Sequence, residues 1–198
     1  MWEQNERFDT QEISLEGLID RESNSGESMT IRYQNPTPSP ASDQMFDVFG
    51  VQLQFLVAPV ETGNQASLYK GILPSGVVIP LHRHPDSEVV YVLEGTLEVY
   101  QETSEYKGWH SLLAGNALAV APGVKHALCN TSSAPSAAIA VTEPGLYEFF
   151  REIAKPAQQG PSTPPSPEGM QRLFAVAAKY SYWMGSPEEN AAVGIKLG

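Results

Sequence analysis

Cysteine, histidine and basic side chains are all scarce in this chain of 198 residues. Its one cysteine, Cys129, has no partner for an internal disulfide, which excludes a disulfide-stapled framework. Lys and Arg number 12 against 23 Asp and Glu, for a formal net charge of −11. No basic run occurs, which argues against nucleic acid or an anionic membrane as partner, because both select for clustered Lys and Arg. The acidic residues are scattered, as on a solvated surface. No apolar run approaches the roughly 18 residues that suggest a membrane span. The opening MWEQNERFDTQEIS has neither the basic start nor the apolar stretch of a secretory signal. A reducing, cytoplasmic setting is the expectation from these absences.

What is present divides into three parts. Residues 1–45 are polar, end in the Pro-rich NPTPSPASDQ, and read as an N-terminal arm and linker. Over residues 46–150 short apolar runs alternate with turn residues. In FDVFGVQLQFLV, the side chains of Phe49, Val51, Leu53, Phe55 and Val57 alternate with Gln52 and Gln54, the period of a strand with one wet face. ASLYKGIL, SEVVYVLEG, TLEVYQ, NALAVA, HALCN and AAIAVT are further strands, separated by turns such as LPSG and APG and by the polar loop ETSEYKG. Many short strands at regular spacing predict an all-β sandwich or barrel. At its end, EPGLYEFFREIA carries Leu146, Phe149, Phe150 and Ile153 at helical spacing behind a first-turn Pro. Residues 151–198 then form a linker and helical tail. After QQGPSTPPSP, the run PEGMQRLFAVAAKYSYW places Met170, Leu173, Phe174 and Ala177 on one helix face, with Ser166 or a neighbour as cap.

Two of the four histidines stand one residue apart in LHRHPDSEVVYVLEG, with a glutamate four positions later. Residues two apart on a strand share a face, so His82 and His84 converge, and Glu88 has the same parity. A bend at Pro85 and Asp86 would bring the carboxylate back beside the imidazoles. Such groups inside a barrel are costly to bury unless something satisfies them, and a divalent metal would. His126, in PGVKHALCN, lies where a Gly-containing turn leads into a strand. Three imidazoles and a carboxylate suit a first-row metal, and octahedral coordination would leave two sites open for water, substrate or dioxygen. His110, in EYKGWHSLL, has no partner at ligand spacing and reads as surface or loop. Cys129 has odd parity relative to His126 and so points away from the metal.

These residues resemble the cupin superfamily. Its first motif is matched by Gly76, His82, His84, Glu88 and Gly95 at the family's spacing, and its second by Gly115, Gly123, His126 and Asn130. One position departs: Ala121 stands where the family most often has Pro, with Pro122 following. The resemblance implies a cupin jelly-roll β-barrel with an N-terminal arm and two short C-terminal helices. It also implies one divalent metal ion per chain, held by His82, His84, Glu88 and His126; iron, manganese, nickel, cobalt and zinc all fit that set. The four motif glycines read as turn residues.

The flanks LYKGILPSGVVIPLHRHP and EPGLYEFFREIAK, with the late RLFAVAAKYSYWMG, are similar to bacterial single-cupin proteins akin to quercetin 2,3-dioxygenase. That likeness implies a dioxygenase acting on a small enolic, phenolic or flavonol-like substrate, with Glu88 as base. A lyase, isomerase or cyclase, in which the ion only polarises a carbonyl, is the alternative, and a non-catalytic small-molecule-binding cupin is a third. Cupins commonly pair through sheets and arms, so a homodimer is expected, with the arm covering an edge strand.

Overall fold

The computed structural model describes residues 44–157 and 166–197. The sequence-predicted arm, apart from its last two residues, and most of QQGPSTPPSP lie outside the described residues.

The first predicted strand is a hairpin. β1 (Phe46–Val48) and β2 (Val51–Val57) are antiparallel, with Val48 opposite Val51. Phe49 therefore sits in the turn, not on the strand, with φ of 52°. Two residues with positive φ, Phe49 and Gly50, are what a tight hairpin turn requires. After a short 3-10 turn at Pro59–Thr62 come β3 (Ser67–Leu73), β4 (Val78–Arg83), β5 (Glu88–Glu94), β6 (Thr96–Glu102), β7 (Lys107–Leu113), β8 (Ala117–Val120), β9 (Lys125–Cys129) and β10 (Ser136–Thr142). The tail consists of α1 (Pro144–Ile153), β11 (Lys155–Pro156), α2 (Pro167–Lys179), β12 (Trp183–Met184) and α3 (Pro187–Ala192).

The strands form two antiparallel sheets, one ordered β11-β1-β2-β3-β10-β5-β8 and the other β12-β4-β9-β6-β7. Non-sequential neighbours in both sheets give a jelly-roll of cupin type. The pleat sorts the side chains: along β5, Glu88, Val90 and Val92 are buried while Val89, Tyr91 and Leu93 face outward. Leu53, Tyr69, Val90, Val92, Leu97, Val99 and Leu128 fill the space between the sheets. α1 closes one side of this core with Leu146, Phe149 and Ile153. Gly95 turns β5 into β6 with φ of 78°, and a Cβ there would meet Ser136 Oγ at 2.8 Å, so both conformation and space demand glycine.

Three further expectations are corrected. The loop ETSEYKG ends earlier than its composition suggests, and β7 begins at Lys107 because its residues pair along the whole of β6. His110 thus lies on a strand, half-buried and opposite Val99, with its ring stacked on Tyr106 at 4.2 Å. The face of α2 is rotated from the predicted one: Val176 and Ala177 are buried, whereas Phe174 is 51% exposed. Ser166 does cap this helix, accepting from the Gly169 N–H. Finally, the tail contains a third short helix, α3, opened by a capping box between Ser186 and Glu189.

That third helix explains a second, smaller core on the outer face of the five-stranded sheet. Leu81, Tyr100, Ala127 and Ile195 pack there with Trp109, Trp183 and Val193. Asn190, fully buried, donates to the Gly185 and Ser186 carbonyls and accepts from the Leu81 N–H. Gly185 N–H in turn donates to the Leu81 carbonyl at 2.7 Å. The tail thereby satisfies both backbone groups of Leu81, which an irregularity in β4 leaves unpaired.

Candidate metal centre

That irregularity aims a histidine. Between Ile79 and His82 the β4–β9 register shifts, so that Ile79 faces Leu128 but His82 faces His126. Pro80 lies in the shift and has no N–H to donate to the ladder. The bulge turns His82 toward the interior while Leu81 points out to the second core. The two register partners end with ring centroids 4.1 Å apart.

His84 converges with His82 as expected, but from just beyond the end of the strand. β4 ends at Arg83, so the bend at Pro85 and Asp86, not strand alternation, directs this ring. Its carbonyl accepts from the Gly123 N–H at 2.8 Å, which ties it to the turn entering β9. That turn answers the departure at Ala121. Pro122 and Gly123 (φ 76°) occupy its centre, and Val124 N–H closes it on the Ala121 carbonyl at 3.1 Å. Pro followed by a positive-φ Gly is the chemistry of a type II turn, and His126 follows it onto β9.

Candidate ligand atoms of His82, His84 and His126 all lie within 4.8 Å of one another. Glu88, at the start of β5 in the opposite sheet, places Oε2 3.6 Å from His84 Nε2 and 3.7 Å from His126 Nε2. The three imidazoles thus form the compact set, and the carboxylate stands beside two of them. Each Nδ1 faces a backbone carbonyl: Pro80 for His82 at 2.7 Å, Asp86 for His84 at 2.8 Å and Val124 for His126 at 2.9 Å. A carbonyl only accepts, so each Nδ1 carries the proton and each Nε2 presents a lone pair. The Nε2 atoms of His84 and His126 are buried without a hydrogen-bond partner.

Two orphaned buried nitrogens would be costly in a finished core. A divalent cation at their meeting point removes the cost, and the carbonyls behind each ring are the support that metal-bound imidazoles require. The residues therefore fit the implied metal. Burial, followed by the neighbouring imidazoles, holds His82 well below the usual histidine range. Burial also lowers His126. At His84 burial, the largest single influence, acts in the same direction, but the Glu88 carboxylate and Asp86 together outweigh it and raise the ring.

Around the site lies a cavity of about 150 Å³ between the two sheets, lined by apolar side chains and by His82, His84, Glu88, Tyr69 and Tyr182. Asp86 anchors its rim. One carboxylate oxygen accepts from the Leu146 N–H at the start of α1, and the other from Tyr182 Oη at 2.6 Å. Gly145 is required by this approach, since a Cβ there would collide with Asp86 Oδ1. Cys129 pairs across the sheet with Glu98 and lines no part of the cavity. Among the described residues, Tyr69, Asp86 and Tyr182 are the site groups that sequence reasoning missed. Tyr69 could have been found from the alternation of Ser67, Tyr69, Gly71 and Leu73, whereas nothing local to Tyr182 points to Asp86.

Residues 70–142 match the family model described as Cupin domain, and this segment carries His82, His84, Glu88 and His126. Similar solved structures include an RmlC-like cupin from Shewanella frigidimarina, 23% identical over 53% of this chain and 86% of that one, with a TM-score of 0.44. A predicted oxalate decarboxylase from Thermotoga maritima is 20% identical over 52% and 95%, with a TM-score of 0.46. The polyketide cyclase RemF from Streptomyces resistomycificus is 14% identical over 52% and 76%, also at 0.46. No curated protein matches the chain significantly. The family match, with the two-sheet topology, supports the cupin superfamily for this barrel and its histidine-based site. No helix among the described residues is long and apolar enough to cross a membrane.

Proposed function

We propose that the chain is a metal-dependent dioxygenase acting on a compact enolic or phenolic substrate, with Glu88 as base. The observation that carries this reading is the placement of Glu88 Oε2, 3.6 and 3.7 Å from two convergent imidazole nitrogens, at the polar end of an apolar cavity. Iron, manganese, nickel, cobalt or zinc would be held by His82, His84 and His126, with Glu88 as fourth ligand, and when bound supplies Lewis acidity and, for the redox-active ions, electron transfer.

The chain's own residues do the rest. Glu88 is within reach of a hydroxyl presented beside the imidazoles and takes its proton at Oε2. Leu53, Leu97 and Phe149 exclude water from the body of the substrate. The same dry walls favour entry of dioxygen, a small apolar molecule. The likeness of the flanking segments to quercetin 2,3-dioxygenase-like single cupins supports the oxygenase assignment over others open to the fold.

The position of Glu88 also supports a second reading, in which it moves a proton on a carbonyl substrate and dioxygen takes no part, as in a lyase, isomerase or cyclase. Oxygen uptake by the metal-loaded protein, measured against a panel of phenols and enols, separates the two. The dioxygenase predicts uptake stoichiometric with product and no turnover under argon. Turnover that continues under argon assigns the second reading.

A further inference from the structure

Among the described residues, Tyr69 carries a buried hydroxyl that neither a hydrogen bond nor the candidate metal site uses. The residue is 3% exposed, lies on the inner face of β3 and lines the cavity. Its Oη has no hydrogen-bond partner. The Thr142 hydroxyl acts on it electrostatically but lies outside hydrogen-bond geometry and bonds to Ser67 at 2.8 Å. Burial, reinforced by the Glu88 carboxylate, pushes the phenol well above its usual range, so it remains a donor.

The sheet register places this donor on the same inner face as the base, one row along and two strands across. Ser67, Thr142 and Glu88 share one row across β3, β10 and β5, while Tyr69, Ala140 and Val90 form the next. One row further, Gly71, Ala138 and Val92 continue the inner face. Small residues at Ala140, Ala138 and Gly71 leave open the space that Tyr69 overlooks. Of the other polar side chains lining it, the imidazoles are committed to their carbonyls, and Tyr182 donates to Asp86. Among the described residues, Tyr69 Oη is thus the free side-chain donor of the chamber.

Given the proposed function, we infer that Tyr69 is a substrate-positioning residue, and that the substrate is a compact apolar molecule with a single oxygen head held between Tyr69 and Glu88. An apolar void of about 150 Å³ accommodates roughly one aromatic ring. Beyond the head, Leu53, Leu73, Leu97, Phe149 and Ile153 offer no partner to a second hydroxyl. Desolvating such a group without a hydrogen bond is unfavourable. The chamber therefore favours a phenol or enol with a single oxygen head over sugars and other polyhydroxylated molecules.

Three para-substituted rings of similar shape test this: p-cresol, p-xylene and hydroquinone, titrated calorimetrically into metal-loaded and chelator-stripped protein. p-Cresol should bind about tenfold more tightly than hydroquinone, whose second hydroxyl meets the apolar wall. Tyr69→Phe should weaken p-cresol about tenfold, leave p-xylene unchanged, and raise the melting temperature of the ligand-free protein, because an orphaned hydroxyl is removed. A merely structural tyrosine would not combine higher stability with weaker binding. The effect should persist without metal, so it fails or stands separately from the metal-dependent reading. Equal binding of hydroquinone and p-cresol by the unmodified protein, or p-cresol binding untouched in Tyr69→Phe, overturns the inference.

Discussion

Tyr182 donates a 2.6 Å hydrogen bond from its hydroxyl to Asp86 Oδ2, joining the C-terminal tail to the bend that carries His84. The contact spans 96 residues of sequence, and both side chains are buried. The backbone carbonyl of the same Asp86 holds His84 Nδ1, so an interaction in the tail reaches a candidate ligand through one residue.

Tyr182→Phe should therefore do two things. Loss of a buried hydrogen bond to a carboxylate costs about 1.5–3 kcal/mol, read as a lower urea midpoint with unchanged slope. Loosening the support of a ligating histidine should reduce metal affinity about 10- to 100-fold, measured by competition with a chromophoric chelator. A variant with lowered stability and full metal affinity would show that Asp86 is held well enough by Leu146 alone.

Asn190→Ala removes the side chain that satisfies the Leu81 N–H. The orphaned donor, together with the lost bonds to Gly185 and Ser186, should destabilise the fold by about 2–3 kcal/mol in chemical unfolding. Because Leu81 borders the bulge at Pro80, amide exchange at Leu81 and His82 should also quicken. Unchanged exchange there would sever the tail from the geometry of the site.

The roles of the imidazoles and of Glu88 separate by substitution. His84→Ala and His126→Ala should lose the metal while keeping the far-ultraviolet spectrum, since the apolar core between the sheets does not depend on them. Glu88→Gln should retain most of the metal and lose about two orders of magnitude in rate. Elemental analysis and turnover on the same samples decide: full occupancy in both histidine variants removes the metal site, and undiminished turnover in Glu88→Gln removes the base.

Alkaline pH should report on the two phenols that line the cavity, Tyr69 and Tyr182. Tyr69 and Tyr182 are both raised above the ordinary tyrosine value, burial being the largest cause at each. The folded state then binds more protons than the unfolded state once pH passes about 10, and stability falls as pH rises beyond that point. Below it their contribution is fully present. Tyrosinate absorbance should accordingly rise in at least two phases, the exposed rings first and these two only as the protein unfolds. A single smooth titration preceding the loss of structure would contradict the burial.

The sequence by itself determined the barrel and the residues of its candidate metal site. Alternation along SEVVYVLEG marks which face of β5 is buried, and the spacing of His82, His84, Glu88 and His126 with turn glycines is a local property of the chain. Even the helices α1 and α2 are legible from Pro144 and Ser166 at their starts, although not the rotation of α2, which depends on what it packs against. Tertiary structure alone decided how the site is held. The bulge at Pro80 that aims His82, the bend that places His84 beyond the strand end, and the link from Tyr182 to Asp86 arise from hydrogen bonds between segments far apart in sequence. No periodicity encodes such partners, because a buried polar group is satisfied by whatever the fold brings beside it. Asn190 makes the same point: within PEENAAV it is an ordinary polar helix residue, and only the closed barrel turns it into the partner of Leu81.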